Sequence, residues 1–220
     1  WTEKAAFQSY RAIALIFLGR VYASSLSSSS DDPSKQRLLN LAISYIKEGL
    51  EILKREDNPH YMAIGYEELG KAYLTLSDGS QAENMQCALE NYRRAMDFLP
   101  LNTFPKDRRR IALEAGDIYF EQRRWEDAID TYREAVVAND VLYRIASTEL
   151  SRREEISQTE GLFNNFAYAL AQLKRYEEAT VHLEAGRTQI LAEIFSRNRA
   201  SLESLKTEDK IALETAWRNL

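Results

Sequence analysis

The stretch Ala112–Asp140, A-L-E-A-G-D-I-Y-F-E-Q-R-R-W-E-D-A-I-D-T-Y-R-E-A-V-V-A-N-D, constrains the fold more than any other part of the sequence. Ala112, Ala115, Gly116 and Tyr119 recur at three, four and seven residues, and so share one face of a helix. Ala128, Tyr132 and Ala135 do the same on a second helix, beyond a two-residue turn. Small residues at Ala115, Gly116, Ala128 and Ala135 let two backbones approach closely, and Tyr119, Trp125 and Tyr132 fill the space that remains. Such a hairpin cannot bury its face alone, so the spacing predicts neighbours built in the same way.

Those neighbours are legible along the chain. A first helix from about Thr2 to Ala23 carries Leu15, Leu18-Gly19 and Tyr22. The Ser-rich run Ser24–Asp31 has little to bury and reads as a mobile loop. Asp32-Pro33 then opens a helix to about Arg55, with Ala42, Ile46 and Gly49 on one face. Asn58-Pro59 opens the next, with Tyr66, Leu69-Gly70 and Tyr73; its partner carries Ala88, Tyr92 and Ala95 and stops at Pro100. Ser80–Glu83 has the spacing of a capping box, and so does Ser157–Glu160. Pro105 lies in the first turn of the next helix. Phe163, Phe166-Ala167 and Leu170, then Tyr176, Ala179, Leu183 and Gly186, complete a fourth hairpin. Whether Val141–Leu173 holds one helix or two is open from pattern alone.

The arrangement resembles the tetratricopeptide repeat, carried here by Ala112, Ala115-Gly116, Tyr119, Ala128, Tyr132 and Ala135, with W-E-D-A opening the second helix. The resemblance implies an all-α fold, a right-handed α-solenoid of about four hairpins (2–57, 58–100, 105–140 and 141–205) with a long closing helix. Residues 206–220 would begin a further helix or linker. The small anchors Gly19, Gly70, Gly116 and Ala167 lie 51, 46 and 51 residues apart, longer than a minimal repeat, so a looser superhelix is expected. Glu184–Leu205 is similar to a narrower group, the repeat arrays that precede a CHAT domain, a caspase-like protease fold. That likeness rests on Gly186-Arg187, Leu191-Ala192-Glu193, Arg197, Arg199-Ala200 and Leu202. It implies a regulatory arm whose catalytic Cys and His belong to a domain beyond Leu220. The start at Trp1 and the apolar pattern Ile211–Leu220 agree with a piece of something longer.

In repeats of this kind the first helices line a concave groove. One step round from the packing signature lie Ile16, Arg20 and Ala23; Glu67, Lys71 and Leu74; Leu113, Asp117 and Phe120; Asn164, Tyr168 and Ala171. Amide, charge and aromatic groups suit an extended peptide, so Arg20, Glu67, Lys71, Leu113, Asp117, Phe120, Asn164 and Tyr168 are the candidate partner-binding residues. The paired Lys and Asn residues with which chaperone-binding members clamp a terminal carboxylate are missing. Lys106–Arg110, K-D-R-R-R, places cations against the dipole of a helix start, and reads as a site for an acidic partner or, more simply, a solvated face. Arg123-Arg124 and Lys174-Arg175 follow helix C-termini, where cations suit exposed carbonyls.

No enzyme is expected within these residues. Cys87 precedes Ala88 on an apolar face and reads as a half-buried thiol; His60 and His182 have no partner at metal-ligand spacing, so neither metal nor cofactor is expected. A net charge of −5 argues against nucleic acid, and one cysteine fits a reducing, cytoplasmic setting. The longest apolar run, Ala12–Leu18, is too short for a membrane span. The expected role is binding a protein or peptide. A stand-alone adaptor is the alternative, and so is a homo-oligomeric scaffold joined through Ile190, Ile194 and Leu202.

Overall fold

The computed structural model describes residues 3–25, 33–54, 58–77, 80–146, 148, 159, 161–188 and 191. Among these the chain is all-helical and repeat-like, without a strand. In order come α1 (Glu3–Ser24), α2 (Pro33–Leu53), α3 (Pro59–Thr75), α4 (Gln81–Asp97), α5 (Pro105–Glu121), α6 (Trp125–Ile145), α7 (Leu162–Gln172) and α8 (176–188). They fall into two compact units, Trp1–Val141 and Leu142–Leu220.

Local chemistry sets the helix ends. Pro59 and Pro105 open α3 and α5, where the missing amide hydrogen costs nothing and the ring fixes a helical φ. Ser80 stands at the N-cap of α4, but its side chain makes no capping bond, so the capping box expected at Ser80–Glu83 is not formed. Both residues are exposed, where solvent can serve the first-turn amides. At the other end of α5, Arg123 takes a left-handed φ of 58°; its amide donates to Phe120 O and that of Arg124 to Tyr119 O, each at 2.9 Å. Lys174, at φ 61°, closes α7 identically, its amide donating to Ala171 O and that of Arg175 to Leu170 O at 3.0 Å. Both turns are Schellman motifs whose left-handed residue is a cation instead of the usual glycine.

Val141–Leu173 is not one helix: α6 ends at Ile145, five residues past the expected close of its hairpin, and α7 begins after Gly161 at φ 86°. Thr2, residues 26–32 of the expected loop, the pair Ser157 and Glu160, Ile190, and residues 192–220 with Ile194 and Leu202 lie outside the described residues.

In the first unit the helices pair antiparallel. Gly19 faces Ala42 and Ile46, while Gly49 faces Ala12 and Ile16, so α1 and α2 run past each other at backbone contact. A Cβ on Gly19 would stand 2.7 Å from the Ala42 carbonyl oxygen, and one on Gly49 2.7 Å from that of Ala12, which accounts for glycine at both places. In α3–α4, Gly70 receives the Tyr92 ring; in α5–α6, Gly116 receives Tyr132. The hairpins stack in chain order around one core that includes Ile16, Ile46, Leu50, Met62, Leu69, Tyr92, Leu99 and Ile111. In the second unit α7 and α8 are antiparallel, with Gly186 against Phe163 and the rings of Phe166 and His182 4.1 Å apart.

Candidate binding face

The first helices of the three hairpins in this unit lie side by side and run the same way: Arg20 of α1 faces Glu68 of α3, and Glu67 and Lys71 of α3 face Arg110 and Glu114 of α5. The face they share carries a ladder of charge. Arg20 Nε is 3.6 Å from Glu68 Oε1, and Lys71 Nζ is 4.0 Å from Glu114 Oε1. These two rungs are equivalent, since Arg20 and Lys71 each follow the anchor glycine by one residue and reach an acid two residues before the next anchor. The Glu67 carboxylate is the hub. It accepts from Lys71 Nζ at 2.5 Å and from both terminal nitrogens of Arg110, the Nη2 bond measuring 2.9 Å. Arg110 Nη2 also donates to Asp107 Oδ1 at 2.9 Å, and Tyr92 Oη donates to Glu114 Oε2 at 2.9 Å.

The two neighbouring glutamates of α3 are both buried yet differ in protonation chemistry. Burial pushes the Glu67 carboxyl upward, but hydrogen bonds and charge from Arg110 and Lys71 outweigh it and leave the group below its ordinary range. Glu68 has only longer contacts, and burial carries it above that range against the pull of Lys71 and Arg20. Burial and the Glu114 carboxylate also raise the Tyr92 phenol, which stays a proton donor.

Arg20 and Lys71 are exposed enough to meet a partner, and Leu113 is half-buried. Glu67, expected to look into the groove, is buried, and Ile16 and Ala23 of the same expected stripes belong to the core. The stripe sits a step off because α3 packs over that side of α1, placing Ile16 against Gly65. Asp117 accepts from Tyr132 Oη at 2.6 Å, and Phe120 packs edge-on to Trp125 with ring centres 5.4 Å apart, so both lean on α6. Asn164 and Tyr168 are exposed on α7 of the second unit. The structure thus brings Arg20, Glu67 and Lys71 together with Arg110, known from sequence only as part of a basic run, and with Glu114, which sequence reasoning missed.

The basic run Lys106–Arg110 also reads differently in three dimensions. Arg109 is buried and donates to Asn139 Oδ1 at 3.0 Å. Arg108 donates to the Met96 and Leu99 carbonyls, each at 3.0 Å, and through Nε to Glu134 at 2.9 Å. With Arg110 tied to Glu67, these three arginines join α5 to α3, α4 and α6; they are not a solvated face. Arg108 and Glu134 also border an open groove of about 530 Å³ with Leu101, Asp130, Arg133 and Val137. Cys87 is half-buried, and His60 stacks on Phe104 with ring centres 4.7 Å apart.

Among the described residues no cluster of three or more His, Cys, Asp or Glu is arranged to hold a metal ion, and no helix is long and apolar enough to cross a membrane. No family model matches the sequence, and no curated protein matches it. Among solved structures the chain is similar to the crystal structure of BtubC (BKLC) from P. vanneervenii, at 14% identity over 90% of this chain and 93% of that one, with a TM-score of 0.37.

Proposed function

We propose that the chain is a tetratricopeptide-type array, a right-handed α-solenoid whose inner face binds a protein or peptide. The observation that carries this reading is the parallel alignment of α1, α3 and α5, which sets Arg20, Lys71 and Arg110 in a row with part of each side chain still open to water. A row of fixed charges suits an extended chain, whose backbone and side chains repeat along its length. The buried Glu67 holds Lys71 and Arg110 in place, so little side-chain freedom remains to be lost on binding. The same reading makes the array the regulatory arm of a CHAT-type protease, on the likeness of Gly186-Arg187 and Leu191-Ala192-Glu193 to that group. Contact and shape then do the work, and bond chemistry lies elsewhere.

A random 12-residue peptide library panned against the immobilised chain tests the groove. Selected peptides should bind Lys71→Ala and Leu113→Arg at least about tenfold more weakly than the parent, a loss of about 1.4 kcal/mol. Peptides indifferent to both changes exclude it. The protease link is tested by intact mass and sequencing of the native polypeptide: an α/β segment after Leu220 with one His and one Cys after strand-like runs supports it, and further hairpins there remove it.

A further inference from the structure

The side of α1 turned away from α2 and α3 carries large apolar groups in water. Ala12, Ile16, Gly19 and Ala23 bury against the neighbouring helices, whereas Phe7, Tyr10, Phe17, Leu18 and Val21 are 65, 72, 38, 41 and 61% exposed. With the exposed Ala14, residues 7, 10, 14, 17 and 21 form an unbroken three-four alternation, the seam by which one helix packs along another. Nothing in the groove reading uses this seam, and the two ideas stand or fall separately.

We propose that α1 is a self-association surface, on which two copies of the chain pair antiparallel about a two-fold axis at Ala14. The seam is nearly symmetric about that residue. Reversed on itself it sets Phe7 against Val21 of the second copy and Tyr10 against Phe17 and Leu18, while Ala14 meets Ala14. A two-fold contact requires such self-complementarity. The small central residue lets the axes close, and the chain already does this internally where Gly19 crosses Ala42 and Gly49 crosses Ala12.

Charge and area fit a second copy. Arg11 and Arg20 flank the seam, and each is paired within its own chain, to Glu48 at 2.5 Å and to Glu68 at 3.6 Å. Two like-charged edges can therefore meet without unneutralised repulsion. At roughly 200 Å² per ring, the three aromatics leave about 350 Å² uncovered, and Leu18 and Val21 bring the apolar share to about 500 Å². A stable contact buries about 800 Å² per partner, a little over half of it apolar, so the seam with its polar flanks meets that requirement.

Sedimentation of the 220-residue chain over about a hundredfold concentration range should show the 25.4 kDa species giving way to one of twice the mass. The double variant Tyr10→Glu, Val21→Glu should weaken this association tenfold or more with unchanged helicity. A second readout needs no disruptive change: with Cys87 replaced by Ser, chains bearing Phe7→Cys mixed with chains bearing Val21→Cys should oxidise to a dimer of one of each. A monomer at every concentration overturns the proposal, and so does a dimer unmoved by the double variant or Phe7→Cys chains that link only to one another.

Discussion

The second and third hairpins use the same packing device and differ at one charge. In each, a glycine of the first helix, Gly70 or Gly116, lies under a tyrosine ring of the second, Tyr92 or Tyr132. The residue after the glycine is Lys71 in the second hairpin and Asp117 in the third. Lys71 turns to Glu67 and towards Glu114 of the next hairpin, and the Tyr92 hydroxyl also crosses to Glu114. Asp117 instead takes the Tyr132 hydroxyl, and that bond stays within its own hairpin. The charge at one repeat position thus goes with the direction of the tyrosine hydroxyl: beside Lys71 it crosses to the next hairpin, and beside Asp117 it bonds within its own. The packing ring is what the repeat pattern specifies, and the hydroxyl can be used either way.

The largest effect should come from cutting the junction itself. Glu67→Gln leaves Lys71 and Arg110 without their shared anion and should cost about 1–3 kcal/mol in denaturant unfolding at neutral pH, the upper end being reduced because both cations reach water. Because the folded-state pKa of Glu67 lies below its unfolded value, its contribution is complete above the ordinary carboxylate range. It fades as pH falls through the depressed folded value, so the penalty of the variant should shrink in acid. Glu68, raised by burial, has the opposite sign. It costs stability above its folded pKa, and Glu68→Gln should be neutral or stabilising at pH 7. Equal losses from both variants would deny the distinction between them.

Removing single hydroxyls sharpens the comparison. Tyr92→Phe and Tyr132→Phe should each cost about 1 kcal/mol, since both rings keep their seats on glycine. They should differ in place: amide exchange should quicken in both α4 and α5 for Tyr92→Phe, and in both α5 and α6 for Tyr132→Phe. A double-mutant cycle with Glu114→Gln should couple to the first and not the second. The smallest effect is expected at the turn of the third hairpin. Arg123→Gly relieves a left-handed side chain and should raise the thermal midpoint by about 1–4 °C, equivalent to about 0.5–1 kcal/mol.

Much of this is legible in the sequence because it is local. The glycine and alanine anchors, the prolines that open α3 and α5, and the cationic turns after α5 and α7 all declare themselves within a few residues. What sequence reasoning missed depends on pairs far apart in the chain. Arg108, Arg109 and Arg110 meet Glu134, Asn139 and Glu67 across 26, 30 and 43 residues, and nothing in K-D-R-R-R distinguishes them from a hydrated run. A carboxylate at a helix surface usually faces water, which is why Glu67 reads as a groove residue; two cations arriving from α3 and α5 offset the cost of burying it. Glu114 carries no local signal, and Arg110 carries only that of its basic run, because their meeting with α3 depends on a stagger of about a turn between neighbouring helices, an offset set by packing.

The antiparallel hairpins also have a mechanical consequence. α5 and α6 are joined at Gln122–Arg124, so their free ends emerge together beside the Arg109–Asn139 and Arg108–Glu134 ties. Tension applied through those ends loads the contacts one after another and never all at once, as in opening a zip. The tie nearest the ends yields first, and the closed turn yields last. A chain of such hairpins is compliant along its length, giving ground in steps of one helix pair while the remaining pairs hold their shape.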